Sequence, residues 1–573
     1  MRTIRWILLA LLVLAGLAWV VRQIERPGVE AGSALRLELS GHYVEAADAP
    51  LVLQLLGRHQ RSFVATLSEL RKAERDRRLA HVVLVVRDLE VGWAKAQELR
   101  DAILALRQAG RHPVAYLETG GFGANLEYYV ASAAERVFLA PGGGAPVVGL
   151  AQEFLFLGGL WERFGIDVQV AQAGRYKGAA ESLAAHAMSE PYREQAASLL
   201  DSIDSQFVAG IAEARGVPED TVRRALELAS AEPKTLEALR LIDGVETRAG
   251  LVALLGDPPV IEAEDYAAVD PGEVGFDPKA TFALVYGAGP ITTGEGGVSR
   301  TGQPVLAADS VVEALEEAAR DDAVRAIVLR VDSPGGGSLP SELVWHAIRS
   351  ARVHKPVVAS FSDYAASGGY YLSSACDAIV AEPATLTGSI GVFAVRPAFG
   401  GLLDRLDVAS ATMVRAPHAE INLALPALSP ETVSWMQADV RRVYDLFLER
   451  VGEGRGLDSA QVEAVAQGRV WTGAQASERG LVDELGGLRT AVERAKQQLG
   501  IAADADVALQ VYPAPKPLAE QLREALGIRA RVSLAELLPL AGAAPALARA
   551  AGWLESLAGP GPLLALPFWI EIH

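Results

Sequence analysis

Part of this 573-residue sequence occurs twice. The segment EYYVASAAERVFLAP at positions 127–141 has a counterpart, GYYLSSACDAIVAEP, at positions 369–383, 242 residues further on. Upstream of each, VLVVRD at 83–88 matches IVLRVD at 327–332. Because the matches occur in one order, we interpret most of the chain as a large unit that was duplicated and then specialised.

Each copy alternates short apolar strands with helices. In the second copy, strands are predicted at residues 326–331, 356–361 and 378–381, and helices at 310–319, 341–351 and 367–375. Ser310 and Glu313 form a capping-box pattern at the start of the first of these helices. Strands of four to seven apolar residues between helices are typical of βαβ units, and they predict an α/β fold with a largely parallel sheet.

The sequence divides into four segments. A Pro/Gly/Asp-rich stretch at residues 269–278 is typical of a junction between the two copies. The expected segments are a signal anchor or transmembrane helix (1–27), a first repeat (28–275), a second repeat (276–500) and a C-terminal extension (501–573).

The N-terminus has the pattern of a membrane anchor. Arg2 and Arg5 precede an uncharged apolar run at residues 6–21, and Arg22 follows it. As a helix this run rises about 24 Å, slightly less than the roughly 30 Å of a bilayer core. The positive charge before the run favours a cytoplasmic N-terminus with the remainder exported. A cleaved signal peptide is the alternative, although the residues after Ala18 are too bulky for a good cleavage site.

Charge and cysteine content exclude several classes of protein. The chain has 53 Lys and Arg residues against 71 Asp and Glu residues, a net charge of −18, which argues against a general nucleic-acid binder. The single cysteine, Cys376, rules out an intramolecular disulfide and a Cys-rich zinc site. We expect Cys376 to be a buried, small apolar residue, and we expect neither a metal nor a cofactor.

Two motifs of the second copy could build a hydrolytic site. Ser367, in ASGGYY, follows a strand and opens a helix, where the free N–H groups of the helix N-terminus supply positive potential. Consecutive glycines in DSPGGG (332–337) can direct backbone N–H groups into a cleft, as an oxyanion hole requires. Each motif also has a purely structural interpretation, as a helix N-cap and as a chain-reversing turn.

A serine nucleophile needs a base. None of the nine histidines stands in a serine-hydrolase signature, and His418 is interpreted as a loop residue. Lys177, in GRYKGAAE, is flanked by small and aromatic residues, and burial would hold such a lysine neutral. The alternative is an ordinary surface lysine.

In combination, four motifs resemble one family. ASGGYY, DSPGGG, TGSIG (387–391) and GRYK (174–177) are similar to the long, duplicated form of signal peptide peptidase A (SppA), a family of membrane-anchored Ser/Lys proteases. The resemblance covers the chain from its N-terminal anchor to about residue 500. It implies two tandem ClpP/crotonase-like βαβ superhelical repeats preceded by one N-terminal transmembrane helix.

The resemblance assigns roles to individual residues. It implies Ser367 as the nucleophile, Lys177 as the general base and Ser389 as a serine that hydrogen-bonds the lysine. The oxyanion hole would be the N–H of Gly368 with that of one glycine of the run 335–337, either Gly335 or Gly336.

The duplication agrees with a divided site. At the 242-residue offset, Ser367 corresponds to Asn125 and Lys177 corresponds to Ala419. Each copy therefore retains half of the pair, and the copies must meet for chemistry.

The family implies a function and a location. Its members degrade signal peptides after their release, with a preference for apolar or small side chains. The expected partners are hydrophobic peptides, the membrane and further copies in a homotetramer, with no nucleic acid. The expected location is the bacterial inner membrane, with a single span and the catalytic region on the periplasmic side. A crotonase-like acyl-CoA enzyme and a catalytically inactive membrane scaffold are the alternative functions.

Overall fold

A computed structural model describes residues 28–45, 61–120, 123–297, 304–513 and 563–565. The predicted anchor at residues 1–27, and most of the predicted C-terminal extension, lie outside these ranges. Among the described residues, no helix combines the length and the apolar character that crossing a bilayer requires.

Strands in the described part of the chain are numbered in chain order. They are β1 (Ser33–Val44), β2 (Arg61–Ser62), β3 (Leu79–Glu90), β4 (Pro113–Leu117), β5 (Arg136–Leu139), β6 (Asp167–Ala173), β7 (Gly244–Val245), β8 (Val260–Glu262), β9 (Pro278–Ala288), β10 (Ile291–Thr292), β11 (Leu306–Ala307), β12 (Val324–Ser333), β13 (Gly335–Gly337), β14 (Val357–Ala366), β15 (Ala378–Ala381), β16 (Leu386–Gly388), β17 (Val392–Ala398), β18 (Val470–Thr472), β19 (Glu484–Leu485), β20 (Asp506–Tyr512) and β21 (Leu563–Ala565).

The α-helices of the described residues are numbered in the same way. They are α1 (Phe63–Arg75), α2 (Trp93–Gln108), α3 (Asn125–Ala131), α4 (Gly158–Phe164), α5 (Ala179–Ala184), α6 (Glu190–Arg215), α7 (Glu219–Leu228), α8 (Pro233–Ala238), α9 (Arg248–Leu254), α10 (Ala263–Tyr266), α11 (Ala308–Arg320), α12 (Ser338–Arg352), α13 (Gly368–Ser373), α14 (Gly400–Arg405), α15 (Pro430–Arg455), α16 (Ser459–Val465), α17 (Gly473–Ser477) and α18 (Leu488–Leu499). Short 3-10 turns lie at Pro271–Val274 and Pro417–Asn422.

Two parallel sheets carry most of the strands, as an α/β fold predicts. In the first, the order is β8-β1-β3-β4-β5-β7, and β2 also pairs with β1. In the second, the order is β20-β9-β12-β14-β15-β19. The end of β14 also pairs with β16, and β16 pairs with the antiparallel strand β18. The central strands are runs of buried Val, Leu, Ile and Ala, because helices cover both faces of a parallel sheet. The two sheets thus have the same strand order.

Local predictions in the second half were confirmed in outline. The strand predicted at 378–381 is β15, and the helix predicted at 341–351 extends a few residues further as α12. The capping box was wrong: α11 begins at Ala308, and Ser310 lies inside it. The Ser310 hydroxyl instead accepts a hydrogen bond from the Gly296 N–H at 2.9 Å, which ties down the preceding loop.

A third sheet joins the two halves of the chain. Its order is β11-β10-β13-β21-β17-β6. Strand β6 comes from the first half, and it runs antiparallel to β17 of the second half from Ala173 opposite Val392 to Asp167 opposite Ala398. Strand β21, near the C-terminus, lies between β13 and β17 and is antiparallel to both.

Cys376 lies in the core of the second half. Its side chain is buried among apolar residues, as predicted, and the burial raises the pKa of its thiol. A thiol of this kind stays protonated and unreactive at neutral pH.

Candidate active site

The pairing of β6 with β17 brings Lys177 to Ser389. Ala173, the last residue of β6, lies opposite Val392, the first residue of β17. Lys177 follows Ala173 by four residues and Ser389 precedes Val392 by three, so both leave the sheet at the same end. The pairing of these distant strands therefore places Lys177 next to Ser389 of the second half.

A tight backbone crossing seats Lys177. The N–H of Tyr176 donates to the carbonyl oxygen of Gln467 at 2.8 Å. A Cβ on Gly468 would lie 2.7 Å from the Cβ of Lys177, and Gly468 has a φ of +75°. Only glycine meets both conditions without strain.

Ser367 sits on a strained turn between β14 and α13. Its φ is +53°, a region that non-glycine residues with a Cβ rarely adopt. Its N–H donates to the carbonyl oxygen of Gly388 at 2.8 Å, which holds the turn against β16. The Ser367 hydroxyl makes no cap to the helix, so the interpretation as a simple N-cap does not describe it. Such strain is retained where a fold orients a functional group.

Lys177, Ser367 and Ser389 form a fully buried cluster. The Nζ of Lys177 lies 2.7 Å from Oγ of Ser367, 2.8 Å from the carbonyl oxygen of Ser389 and 2.9 Å from Oγ of Ser389. All three residues have no exposed surface. Burial lowers the pKa of Lys177 well below the ordinary value of a lysine, because none of the described carboxylates compensates the lost hydration.

The three contacts match the hydrogen-bonding capacity of a neutral amine. Such an amine has two N–H donors and one lone pair. The Ser389 carbonyl can only accept, so it takes one N–H, and the Ser389 hydroxyl can take the other. The lone pair is then available to the Ser367 hydroxyl proton.

The glycine run lies against the start of α13. A Cβ on Gly368 would lie 3.2 Å from the backbone N of Gly336, so the two backbones nearly touch. The N–H of Gly335 donates to Oγ of Ser333 at 3.2 Å, and that hydroxyl donates to the carbonyl oxygen of Gly289 at 2.7 Å. The predicted oxyanion-hole residues are therefore brought together, with the Gly335 N–H already engaged.

The corresponding positions of the first half have other tasks. The Asn125 amide donates to the carbonyl oxygen of Gly149 at 2.8 Å and accepts from the N–H of Val148 at 3.0 Å. Asn125 thus holds a loop in place, whereas its counterpart Ser367 contacts Lys177. Ala419, the counterpart of Lys177, lies in a 3-10 turn.

His418 lies in the same 3-10 turn, as the loop interpretation predicted. Its ring stacks on Trp435 with centroids 5.5 Å apart, and its Nδ1 is 3.2 Å from Oγ1 of Thr432. It has no contact with the cluster of Lys177 and the two serines. Within the described ranges, no group of three or more His, Cys, Asp or Glu residues is placed to hold a metal ion.

Sequence reasoning missed a buried group of charges next to the site. Lys95 contacts Asp332 and Asp363, which precede the glycine run and Ser367. Asp332 begins the motif DSPGGG and Asp363 lies four residues before Ser367, but no role was predicted for either. The available signal was an acidic residue at the end of each apolar strand.

Comparison with known proteins identifies the class. The profile of Peptidase family S49 matches residues 106–253 and 349–502, one segment in each half. The serine protease SPPA, chloroplastic, of Arabidopsis thaliana is 32% identical over 467 residues, covering 80% of this chain and 68% of that protein. Protease 4 of Haemophilus influenzae is 29% identical over 502 residues, covering 83% of this chain and 80% of that protein. Protease 4 of Salmonella typhi is 30% identical over 502 residues, with 82% and 78% covered.

Fold, site and similarity therefore agree on a serine peptidase. Within that class, the chain belongs to Peptidase family S49 and is an SppA-type protease. This decides against the acyl-CoA enzyme and the inactive scaffold.

Proposed function

We propose that this chain is a membrane-bound serine endopeptidase that degrades apolar peptides, released signal peptides in particular, through a Ser367–Lys177 dyad. One observation carries the proposal: the Nζ of Lys177 lies 2.7 Å from Oγ of Ser367 in a site without exposed surface. At that distance the proton of the hydroxyl can pass directly to the amine.

The reaction begins with neutral Lys177. It accepts the proton of the Ser367 hydroxyl as Oγ attacks the peptide carbonyl carbon. The tetrahedral intermediate collapses when Lys177 returns that proton to the leaving amine, and an acyl-enzyme remains. Water, deprotonated by the same amine, then attacks the ester; as the bond to Oγ breaks, Lys177 returns the proton to Ser367 and the second product leaves.

Backbone N–H groups stabilise the developing oxyanion. Gly368 supplies one, at the N-terminus of α13. Gly336 is the better second donor, because the Gly335 N–H already donates to Ser333 and Gly336 lies against Gly368. Each such donor typically contributes about 10²–10³ in rate.

Strand pairing supports an extended peptide as the substrate. Leu563–Ala565 of the chain itself lies antiparallel to Gly335–Gly337, with Gly336 opposite Leu564, and it also pairs with Phe393. An edge that accepts one extended segment can accept another through main-chain hydrogen bonds. The sequence of that segment, Leu-Leu-Ala, resembles the apolar residues of a signal peptide.

We further infer the repeat architecture, the location and the assembly of the chain. The shared strand order of the two sheets, and the two segments matched by one family profile, support two tandem ClpP/crotonase-like repeats. The apolar run at 6–21 would anchor the chain in the bacterial inner membrane, with the repeats on the periplasmic side as a homotetramer.

The dyad is tested by labelling with a fluorophosphonate probe and by hydrolysis of a synthetic signal peptide. We expect the wild type to react in both assays, and Ser367→Ala and Lys177→Ala to react in neither. Lys279→Ala, at an exposed lysine, is the matched control and should behave as the wild type. Full labelling of Lys177→Ala would remove the lysine from the mechanism. If the wild type is labelled but does not hydrolyse the peptide, only the proposed substrate is refuted.

A further inference from the structure

A buried ionic cluster connects the two halves of the chain beside the site. It contains two cations and four carboxylates, namely Lys95, Arg330, Glu45, Glu98, Asp332 and Asp363. Three of these residues come from the first half and three from the second. We call this group the interface cluster.

The cluster lies at a bulge in β14. Strands β12 and β14 pair in register up to Val331 and Phe361, and they pair again at Ser333 and Ala365. Strand β14 therefore has two more residues than β12 across this step. A bulge bends its strand and changes the direction of the residues that follow. Here the next residues lead to Ser367, two positions beyond Ala365.

Lys95 spans this bulge. Its Nζ lies 2.6 Å from Oδ2 of Asp332 on β12 and 2.8 Å from Oδ2 of Asp363 on β14. It also lies 3.0 Å from Oε1 of Glu45. The other oxygen of Asp332 accepts a hydrogen bond from the N–H of Tyr364 at 3.1 Å, within the bulge itself. One ammonium group thus connects the strand before the glycine run to the strand before the nucleophile.

The backbone of α2 adds to the same contact. The N–H groups of Gly92 and Lys95 donate to the Asp363 carboxylate at 3.1 and 3.0 Å. Asp363 therefore caps, from the other half of the chain, the N-terminus of a 16-residue helix. A Cβ on Gly92 would overlap the Asp363 carboxyl group, so the approach requires glycine.

The buried charges of the interface cluster stabilise one another. Burial acts to lower the pKa of Lys95, but the carboxylates of Asp332, Asp363 and Glu45 outweigh it and raise that pKa well above the ordinary value. Lys95 is therefore a permanent cation, unlike Lys177. Burial also raises the pKa of Asp332 to about 6, although Lys95 opposes the shift. Without Lys95, two buried acidic groups would face each other across the bulge with no cation between them.

We propose that Lys95 is a positioning residue for the peptidase reaction: by holding Asp332 against Asp363 it sets the distance between the glycine run and Ser367. The inference rests on the proposed Ser367–Lys177 function. Without the shared ammonium group the two acidic side chains would no longer hold the bulge closed, and Ser367 and Gly368 would move together away from the N–H of Gly336. A displacement of about 1 Å at a reacting centre can cost about 10²-fold in rate.

The test is Lys95→Met in the full-length protein. We expect kcat on the synthetic signal peptide, and the rate of fluorophosphonate labelling, to fall about tenfold or more, with KM changed about threefold or less. Lys72→Met is the control, because Lys72 is a half-buried lysine of the first half that donates to backbone carbonyls of Tyr266 and Val269. It should keep wild-type rates. A merely structural role for Lys95 would lower the melting temperature without changing the rates of the folded protein.

A double variant distinguishes a positioning role of Lys95 from a general loss of structure. In Lys95→Met with Asp363→Asn, one of the two acidic groups becomes an amide that can hydrogen-bond the other across the bulge, so the labelling rate should recover about threefold or more relative to Lys95→Met alone. If Lys95→Met does not fold, Asp332→Asn replaces it, since Lys95 then keeps Asp363 and Glu45 as partners, and labelling should again slow severalfold. Rates within about twofold of the wild type in the folded variant overturn the inference. That result, with Lys177→Ala inactive, would leave the proposed dyad intact.

Discussion

The side chains of Lys177 and Ser367 meet at 2.7 Å although 190 positions separate them in the sequence. The lysine follows β6 of the first half, and the serine follows β14 of the second. The positions that correspond to them, Ala419 and Asn125, carry no such chemistry. The contact between Lys177 and Ser367 therefore forms only when the two halves have folded against each other.

The activity should increase with pH. Burial lowers the pKa of Lys177, and only the neutral amine can accept the Ser367 proton. Below that pKa the amine is protonated and the rate is low; above it the rate reaches a plateau, at a pH well below the roughly 10.4 of a free lysine. The labelling rate of Ser367 between about pH 5 and pH 10 measures this. A rate that stays flat or falls over the range would contradict a neutral lysine base.

Replacing the base should stabilise the protein. The pKa of Lys177 is lower in the folded state than in the unfolded chain, so between the two values the unfolded chain binds more protons. The free energy of unfolding of the wild type therefore rises with pH through that window and is reduced below it. We expect Lys177→Met to be more stable than the wild type near pH 7, and to lack this pH dependence. Denaturant unfolding at several pH values tests both, with exposed Lys279→Met as control.

A methyl group at Gly468 should displace Lys177. Gly468→Ala places a Cβ 2.7 Å from both the backbone N and the Cβ of Lys177, so labelling of Ser367 should fall about tenfold or more. Gly480→Ala is a close control: its φ of +72° nearly equals the +75° of Gly468, yet no atom lies within 4 Å of its added Cβ. Both variants place an alanine at a positive φ. The resulting loss of stability is measured by their melting temperatures. Equal labelling rates in the two would show that the contact with Lys177 has no effect.

The Ser389 hydroxyl should matter less than the lysine. Ser389→Ala removes the 2.9 Å contact to Nζ but keeps the 2.8 Å contact from Nζ to the Ser389 carbonyl oxygen. One lost hydrogen bond of about 1–2 kcal/mol predicts a labelling rate reduced about 5- to 30-fold. Ser373→Ala removes a buried hydroxyl on α13 that bonds only within its helix, and it should have little effect on the rate. A Ser389→Ala variant as inactive as Lys177→Ala would mean that the serine itself carries the proton.

Local features of the fold could be predicted from the sequence because they depend on near neighbours. Alternating apolar strands and helices predicted the parallel sheets, and β15 was found where the pattern placed it. The predicted start of α11 was wrong because a capping box considers only neighbouring residues, whereas the Ser310 hydroxyl accepts a hydrogen bond from Gly296, 14 residues earlier. The local motifs made Ser367 and Lys177 candidates for a nucleophile and a base, and the family resemblance then assigned them these roles.

Contacts between distant segments could not be predicted. The pairing of Ala173 with Val392 determines where Lys177 goes, and no periodicity in either strand specifies its partner. Lys95 was missed for the same reason. A lysine near the start of an amphipathic helix usually faces water, and only the assembled interface places it between Asp332 and Asp363.

The short strand Leu563–Ala565 occupies the edge beside Gly335–Gly337 that a peptide substrate would use. A substrate that binds there must compete with a segment of the same molecule, whose local concentration is the same at every dilution of the enzyme. The apparent affinity for the substrate is then its intrinsic affinity multiplied by the fraction of molecules with that edge vacant. The tethered strand would therefore raise the peptide concentration needed for half-maximal cleavage and leave the maximal rate unchanged.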